Sequence, residues 1–328
     1  MRILVTGGAG YIGSFMARRL LDEKHLVLVV DSLEKGNIDA VDKKADFREG
    51  NILDKHFLSK LFSNEEFDAV IHFAGYISMG ESMKSPGMYF ENNVSGAINV
   101  LEEMIKHKVN YFIFSSTAGV YGNPLKVPIE EDHPKNPTNP YAESKLMVER
   151  ILSWYQKIHD IGFVSLRYFN AAGGAFNGEM GENHNPETHI IPNAIKSVLK
   201  NSEFALFGDD YNTPDGTCIR DYIHVIDLVD AHLLAIAKLK NDKGGYYYNV
   251  GTGRGYSNRE VTEMIRKVTR VEFKVKIAQR RPGDADILIA DPTLIKKDLG
   301  FAPKYSELET IVRSAWEWHK KLKIKNEK

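Results

Sequence analysis

The sequence predicts an α/β protein in which a doubly wound parallel sheet is joined to a smaller mixed α/β domain. Short apolar runs alternate with amphipathic segments through the first half of the chain. A glycine-rich turn joins the first such pair. Near residue 171 the pattern gives way to a polar stretch rich in Gly and Asn. We therefore expect one domain at residues 1–170 and a second, mainly at 171–328, from which segments return to the first.

The glycine-rich turn predicts a dinucleotide site. Gly7, Gly10 and Gly13 have the spacing G-x-x-G-x-x-G between the first apolar run and the first amphipathic segment. Glycines at such a turn allow the backbone to approach a pyrophosphate, and the N-terminus of the following helix faces the phosphates. The second apolar run ends in Asp31, whose carboxylate suits the hydroxyls of an adenosine ribose. Since a carboxylate repels a 2′-phosphate, the cofactor predicted is NAD rather than NADP.

The alternation continues beyond Asp31. We expect strands at 46–50, 68–73, 111–114 and 163–167 and helices at 55–62 and 88–107. The polar stretch 171–185 is expected to be a loop that covers a substrate, being too polar to pack as an element. Ser257 and Glu260 form a capping box for a helix that ends near Thr269. Asp291-Pro292 opens a short helix that Gly300 ends.

A candidate proton-transfer pair opens another helix. Asn139 suits the cap and Pro140 the first turn, so Tyr141 and Lys145 share one helix face. An ammonium beside a phenol favours the phenolate, which makes Tyr141 a candidate base near neutral pH. Taken alone, the pair is more simply explained as two surface residues, but the motifs before it favour catalysis. Thr117 follows a strand at the sheet edge where ligands bind, although a Ser/Thr turn is an equally simple interpretation.

Composition excludes several classes of partner. The net charge is −1 and charges of both signs are interspersed, so we expect neither nucleic acid nor an anionic membrane as a partner. No apolar stretch approaches the roughly 20 residues of a membrane span, and no charged leader precedes the first strand. The single cysteine, Cys218, excludes an internal disulfide and a cysteine-based zinc site. We expect a cytoplasmic protein without a metal.

The motifs together resemble those of the extended short-chain dehydrogenase/reductase family, from residue 1 to the last helix. The residues that carry the resemblance are Thr6-Gly-Gly-Ala-Gly-Tyr-Ile-Gly, Asp31, Phe73-Ala-Gly, Gly80-Glu-Ser, Asn92-Asn-Val, Ser116-Thr, Val120-Tyr-Gly, Tyr141-x-x-x-Lys145, Arg167-Tyr-Phe-Asn, Phe207-Gly-x-Asp-Tyr, Asp215-Gly-Thr, Arg220-Asp-Tyr-Ile-His-Val and Arg280-Arg-Pro-Gly-Asp. The resemblance implies a Rossmann-type first domain. Within the family, the chain looks similar to members that epimerise C4 of UDP-glucose and UDP-galactose.

The resemblance implies roles for individual residues. Tyr141 would be the base, Lys145 would hold the nicotinamide ribose, and Thr117 would hydrogen-bond the 4-oxygen. The residues implied to bind NAD are Gly7, Gly10, Tyr11, Ile12, Gly13, Asp31, Ser32, Asn51, Ile52, Phe73, Ala74, Gly75, Asn92, Ser115, Tyr141, Lys145 and Tyr168. Those implied to bind the UDP-hexose are Thr117, Tyr141, Asn170, His189, Ile190, Ala205, Phe207, Arg220, Arg281, Asp284 and Leu288. Relatives are commonly homodimers, which here would pair the helices at 88–107 and 140–158.

The sequence also bears on which sugars are accepted and on the alternatives to epimerisation. Leu288 stands where members restricted to glucose and galactose tend to have tyrosine, so the smaller side chain is expected to admit an N-acetyl group. Ala118 and Gly119 follow Thr117 where related dehydratases have Asp-Glu, which argues against elimination. Epimerases of other nucleotide sugars, such as UDP-glucuronate, use the same ketone and stay open. A regulator that only senses NAD is the alternative outside catalysis.

Overall fold

The computed structural model describes residues 1–281 and 283–326. Pro282, part of the Arg280-Arg-Pro-Gly-Asp motif, and the last two residues of the predicted second domain lie outside the described residues. The strands are β1 Arg2–Thr6, β2 Leu26–Asp31, β3 Asp46–Glu49, β4 Ala69–His72, β5 Tyr111–Thr117, β6 Gly162–Tyr168, β7 Asn170–Ala172, β8 Phe204–Phe207, β9 Ile219–His224, β10 Gly245–Val250, β11 Gly255–Ser257, β12 Val275–Ala278 and β13 Ile287–Leu288.

Helices cover both faces of the largest sheet. They are α1 Tyr11–Asp22, α2 Lys55–Asn64, α3 Met79–Ser82, α4 Pro86–Tyr89, α5 Gly96–Lys106, α6 Pro140–His159, α7 Ile190–Lys200, α8 Val225–Asn241, α9 Asn258–Thr269, α10 Thr293–Leu299 and α11 Leu308–Asn326. One apolar core packs α1 and α8 against the sheet. A second packs α2, α5 and α6 against the other face. Across the described ranges, no helix combines the length and the apolar character that a membrane span needs.

The main sheet is parallel and doubly wound, which confirms the predicted fold class. Its seven strands have the order β10-β6-β5-β4-β1-β2-β3. The chain reverses direction across the sheet at β1, and α/β folds of this kind bind ligands at such a switch point. In the register of β5 with β6, Thr117 lies opposite Tyr168, so both side chains stand at the carboxyl edge.

The second half of the chain is built around a smaller core. Apolar residues of α7, α9 and α11 pack with β8 and β9 in that core. Strands β7, β9, β11 and β13 form a four-stranded sheet, and β8 pairs with β12. β10, however, pairs with β6 in the main sheet, so residues beyond 170 do return to it. The predicted boundary at residue 170 stays a prediction.

Two predicted elements differ from the structure. The helix expected at 88–107 is a helical run with a π-helical segment, Phe90–Ser95, between α4 and α5. The segment 171–185, expected to be a loop that is too polar to pack, is in fact packed in part. Its first residues lie in β7, and Met180 and Glu182 are buried. The reason is tertiary: the Trp318 indole N–H on α11 donates to the Glu182 carbonyl over 2.9 Å, which gives a polar segment a buried partner.

Candidate active site

The start of α6 is built as the sequence predicts. The Asn139 side chain accepts a hydrogen bond from the Ala142 N–H over 2.9 Å, and Pro140 occupies the first turn. The cap therefore sets where the helix begins and so where Tyr141 points. The Ser144 hydroxyl also accepts a bond from the Asn93 amide over 2.9 Å, which joins α6 to the π-helical segment. These local bonds hold the first turn of α6 at the carboxyl edge of the sheet.

Tyr141 lies within hydrogen-bond reach of Thr117. Burial raises the pKa of Tyr141, and the hydrogen bond with the Thr117 side chain offsets part of the rise. The Thr117 hydrogen bond therefore favours the phenolate. The Thr117 hydroxyl also accepts the Gly119 N–H over 3.1 Å, which fixes its orientation at the end of β5. The two hydroxyls can therefore exchange a proton with each other.

Lys145 is enclosed next to this pair. Its side chain is 2% exposed, and burial lowers its pKa from 10.5 to about 8. The ammonium donates to the Ser115 carbonyl over 2.8 Å and lies 5.0 Å from the centre of the Phe114 ring. A Cβ added to Gly75 would come within 3.5 Å of the Lys145 nitrogen. Since a pKa of about 8 still leaves most of the lysine charged at neutral pH, the site contains a buried cation next to Gly75, one helical turn beyond Tyr141.

The glycine-rich turn and Asp31 have the donor set that a dinucleotide needs. Gly7 has a φ of +72°, and a Cβ on Gly13 would lie 2.2 Å from the Gly7 carbonyl oxygen, so the helix packs as close to the strand as glycine allows. No side chain caps α1 at Gly10, which leaves backbone N–H groups for phosphate. The Asp31 carboxylate accepts the Ala9 N–H over 3.0 Å, which holds it beside the turn. These residues fit NAD.

The other predicted cofactor residues occupy the same edge or the adjoining core. Phe73, Ala74 and Gly75 follow β4, and Ser115 and Tyr168 lie at the ends of β5 and β6. Tyr11 opens α1, followed by Ile12, and its hydroxyl donates to the Gly173 carbonyl over 2.7 Å. Ser32 follows β2, Asn51 and Ile52 follow β3, and Asn92 lies in the π-helical segment. Their roles toward NAD stay predictions.

Four of the predicted substrate residues form one connected group. The Arg281 guanidinium lies 5.1 Å from the centre of the Phe207 ring and donates to Asp284 over 3.1 Å. The Arg220 guanidinium lies 3.9 Å from the other oxygen of the same carboxylate. Ala205 shares the exposed face of β8 with Phe207. Two arginines beside an exposed aromatic ring suit a diphosphate and a flat base.

Leu288 and Asn170 also lie on elements that meet β9. Leu288 pairs with Arg220 across the β13–β9 register and packs against an apolar cluster that includes Ala118 and Leu146. Leu288 therefore lies between Arg220, one of the two arginines suited to a diphosphate, and the turn that follows Thr117. The Asn170 amide donates to the Asp221 carbonyl over 3.1 Å.

The His189 imidazole makes contacts that the sequence did not predict. Its Nδ1 atom lies 2.5 Å from a Glu182 oxygen and 3.3 Å from a Glu187 oxygen, rather than with the arginine group. Ile190, expected beside it in the substrate site, is the first residue of α7. The substrate roles of both residues stay predictions.

Sequence reasoning also missed a buried network behind Thr117. The Glu149 carboxylate accepts hydrogen bonds from Ser116 over 2.6 Å, from Ser165 over 2.9 Å and from two nitrogens of Arg167. Arg167 and Glu149 are 3% and 2% exposed. Glu149 lies on α6, the helix that also carries Tyr141. Its bonds with Ser116 and Arg167 therefore fasten α6 to β5 and β6 behind the candidate catalytic residues. An acid on the apolar face of a predicted helix is the sequence signal that points to such a pair.

Fold and site together define a nucleotide-binding α/β protein with a Tyr/Lys pair at the carboxyl edge of its sheet. The model of the NAD dependent epimerase/dehydratase family matches residues 3–251, and the chain belongs to this family. The matched range ends just after β10, so it contains the whole main sheet.

Individual relatives agree over nearly their full length. The chain is 47% identical to a UDP-glucose 4-epimerase of Lactobacillus helveticus over 98% of this chain and 97% of that protein. It superposes with a TM-score of 0.93 on a Bifidobacterium longum UDP-glucose 4-epimerase in complex with NAD+ and UDP, at 36% identity and 98% coverage of both. A UDP-Glc/GlcNAc 4-epimerase of Campylobacter jejuni is 41% identical, with a TM-score of 0.85, over 98% of this chain and 99% of that one.

Proposed function

We propose that the chain is an isomerase that interconverts UDP-glucose and UDP-galactose by inverting C4 through a 4-keto sugar. The observation that carries this is the placement of Tyr141, Thr117 and the buried Lys145 at the carboxyl edge of the sheet, which also has the glycine-rich turn and Asp31. Bound NAD would supply a hydride acceptor and donor at C4 of the sugar, so that the hydride lost from one face could return to the opposite face. NAD dependence is a property of the family to which the chain belongs.

The protein's own residues move the proton and hold the nucleotide. Tyr141 takes the proton of the 4-hydroxyl and returns it, and Thr117 holds the 4-oxygen and passes the proton on. Lys145 holds the nicotinamide ribose and contributes positive charge beside the phenol. Both faces of C4 must be presented, so the sugar turns while the UDP group stays fixed. Arg220 and Arg281 suit that fixed role because a guanidinium binds phosphate oxygens in pairs.

The decisive test is turnover of UDP-galactose to UDP-glucose by the NAD-loaded chain and by Tyr141→Phe. Loss of a general base costs about 10²–10⁴-fold in rate, and we expect a drop of at least that size in kcat. Tyr155→Phe is the matched control, because Tyr155 lies on the same helix and bonds Glu102 instead of Thr117. Full activity of Tyr141→Phe would refute the role of Tyr141 as the base. No turnover by the unchanged chain would move the substrate to another nucleotide sugar, with UDP-glucuronate as the first alternative.

N-acetylated UDP-hexoses are proposed as further substrates. Leu288 is half-buried, and a leucine at this position leaves more room than a tyrosine would for the N-acetyl group that these sugars carry on C2. The Campylobacter relative whose name includes GlcNAc supports the idea. We expect turnover of UDP-N-acetylgalactosamine, and Leu288→Tyr should lower its kcat/KM far more than that of UDP-galactose. No reaction of the unchanged chain with the acetylated sugar, or an equal loss for both sugars, contradicts this proposal.

A homodimer in the cytoplasm is the proposed form of the protein. Trp154 and Ile158 on α6 are 62% and 67% exposed, and apolar side chains clustered on one helix favour association. We expect sedimentation of a dimer at micromolar concentration and of a monomer after Ile158→Glu. A monomeric unchanged chain would contradict the dimer. The unpaired Cys218 is compatible with a reducing compartment.

A further inference from the structure

A cluster of two glutamates and two histidines lies at the end of the polar segment that follows β7. Glu182, His184, Glu187 and His189, called here the Glu/His cluster, have the spacing E-x-H-x-x-E-x-H. One atom from each residue, a carboxylate oxygen or an imidazole nitrogen, lies within 4.8 Å of the other three. None of the four is required for the proton transfer at Tyr141, so the cluster needs an explanation of its own.

The four side chains converge on a common point. His184 Nδ1 lies 2.9 Å from one oxygen of Glu182 and 4.0 Å from one oxygen of Glu187. His189 Nδ1 lies 2.5 Å from that same Glu182 oxygen and 3.3 Å from that same Glu187 oxygen. Ligand atoms about 2.0–2.2 Å from a tetrahedral ion are roughly 3.4 Å apart, so the observed separations bracket those of a metal site.

The two carboxylates of the cluster are buried and therefore need positive charge beside them. The Glu182 and Glu187 side chains are only 5% and 4% exposed. The Lys196 ammonium lies 3.4 Å from the far oxygen of Glu187, so the positive charge available to the two carboxylates comes from this lysine and from any imidazole that is protonated. His189 Nδ1 is itself buried, and within residues 1–281 and 283–326 no hydrogen bond to it has acceptable geometry. The His189 side chain is 43% exposed, but its Nδ1 atom is buried against two carboxylate oxygens, a position that a cation bound between these groups would satisfy.

We propose that the Glu/His cluster binds a divalent transition-metal ion, for which Zn²⁺ is the best chemical match. Imidazole nitrogen and carboxylate oxygen are both zinc ligands, whereas nitrogen ligands disfavour Mg²⁺ and Ca²⁺. Four protein ligands leave no open position, so the site is structural and takes no part in the reaction. The absence of cysteine ligands is why the sequence was expected to lack a metal.

Neighbouring groups orient the ligands as the outer shell of a metal site does. The Thr188 and His189 N–H groups donate to the Glu187 oxygen over 2.9 and 3.1 Å. On the other side, the Tyr11 ring lies edge-on to His184 at 6.4 Å between ring centres. An ion here would cross-link the polar segment to the start of α7, next to the first turn of α1. It would thereby position the backbone at His189, where substrate contacts are predicted.

The test is metal uptake by the untagged, NAD-loaded full chain after chelator treatment. We expect one Zn²⁺ per chain after re-addition and dialysis, measured by elemental analysis, and competition with a chromogenic chelator to give the affinity. His184→Gln should weaken binding at least about 100-fold, since even loss of an outer-shell partner costs about 10–100-fold. His56→Gln is the matched control, because His56 is an exposed histidine outside the cluster, and it should bind as the unchanged chain does.

Cobalt provides a readout that does not depend on the variants. Co²⁺ bound by the unchanged chain should show the visible absorption of a tetrahedral site with nitrogen and oxygen ligands. The proposal fails if the unchanged chain retains no zinc and shows no such band. It also fails if a folded His184→Gln, checked by circular dichroism, binds zinc as tightly as His56→Gln does.

Discussion

The two sides of the cleft use charge differently. On the cofactor side, charges are enclosed by the main sheet: Lys145 is 2% exposed, and the Glu149–Arg167 pair is buried behind the catalytic residues. On the substrate side, the Arg281 side chain is 44% exposed and lies against the Phe207 ring, although the Asp284 carboxylate that it also contacts is 5% exposed. Burial strengthens electrostatic effects because little water screens them. Substitutions on the cofactor side should therefore change stability together with chemistry, whereas those on the substrate side should mainly change binding.

The largest expected effect is that of Glu149→Gln. Removing one partner of a buried ion pair leaves the other charge without compensation, which costs about 3–5 kcal/mol of unfolding free energy. Urea unfolding of the two chains measures the difference. The matched change at an exposed ion pair is Arg254→Gln, which breaks the pair of Arg254 with Glu307, whose side chains are 64% and 73% exposed. It should cost less than about 1 kcal/mol, and equal losses would remove the distinction between buried and exposed charges.

Lys145→Met should change how stability depends on pH. Burial lowers the lysine pKa to about 8 in the folded chain, against 10.5 for an unperturbed lysine. Between these values the unfolded chain binds more protons than the folded chain, so the lysine makes unfolding free energy rise with pH. Below pH 8 that gain is absent. We expect the unchanged chain, freed of nucleotide, to gain up to about 3 kcal/mol relative to Lys145→Met from pH 7.5 to 10.5.

Urea unfolding of both chains at the two pH values measures this difference. The tyrosines and other lysines titrate in both chains and cancel in the comparison. Parallel pH profiles would show that Lys145 has an ordinary pKa, and the cofactor side would then lack its buried cation.

Asp31→Ser should change the choice between NAD and NADP. The carboxylate repels a 2′-phosphate and suits two ribose hydroxyls, so its removal should weaken NAD binding and strengthen NADP binding. We expect the ratio of the two dissociation constants to shift about 10–100-fold, equivalent to about 1.4–2.7 kcal/mol. Titration calorimetry measures both constants. Asp39→Ser, which removes an exposed carboxylate paired with Lys325, is the control. An unchanged ratio in Asp31→Ser would mean that Asp31 does not face the ribose.

The smallest expected effect separates two helix caps. Asn139 caps α6 and Ser257 caps α9. Replacing either residue with alanine should cost about 1 kcal/mol of unfolding free energy. Only Asn139→Ala should also lower kcat, because Tyr141 lies in the first turn of the helix that it caps. Unfolding and turnover measured on both variants decide the point, and equal kcat values would show that the cap does not position Tyr141.

What the sequence predicts well is local. The caps of α6 and α9, the glycine-rich turn and the parallel alternation depend on residues a few positions apart, and the structure confirms each of them. Capping and turn formation are decided by neighbours in the chain, so their residue patterns are recognisable.

What the sequence did not predict depends on distant contacts. Arg167 reaches Glu149 only after β6 has joined the sheet, and the polar segment packs because Trp318 supplies a donor from the last helix. The sequence predicts Glu182 as part of a loop and His189 as a substrate residue, and so does not connect the two. Their regular spacing was visible in the sequence, but only the fold shows that the four side chains meet.

The return of β10 to the main sheet has a consequence for how the chain is made. β6 ends at Tyr168, but its outer neighbour, β10, comes from residues 245–250. During synthesis from the N-terminus, the outer edge of β6 therefore presents unpaired N–H and C=O groups until β10 has been synthesised. Such open edges invite pairing with other chains. A fragment that ends at residue 170 keeps that edge permanently, so the first half of this protein depends on the second for its own completion.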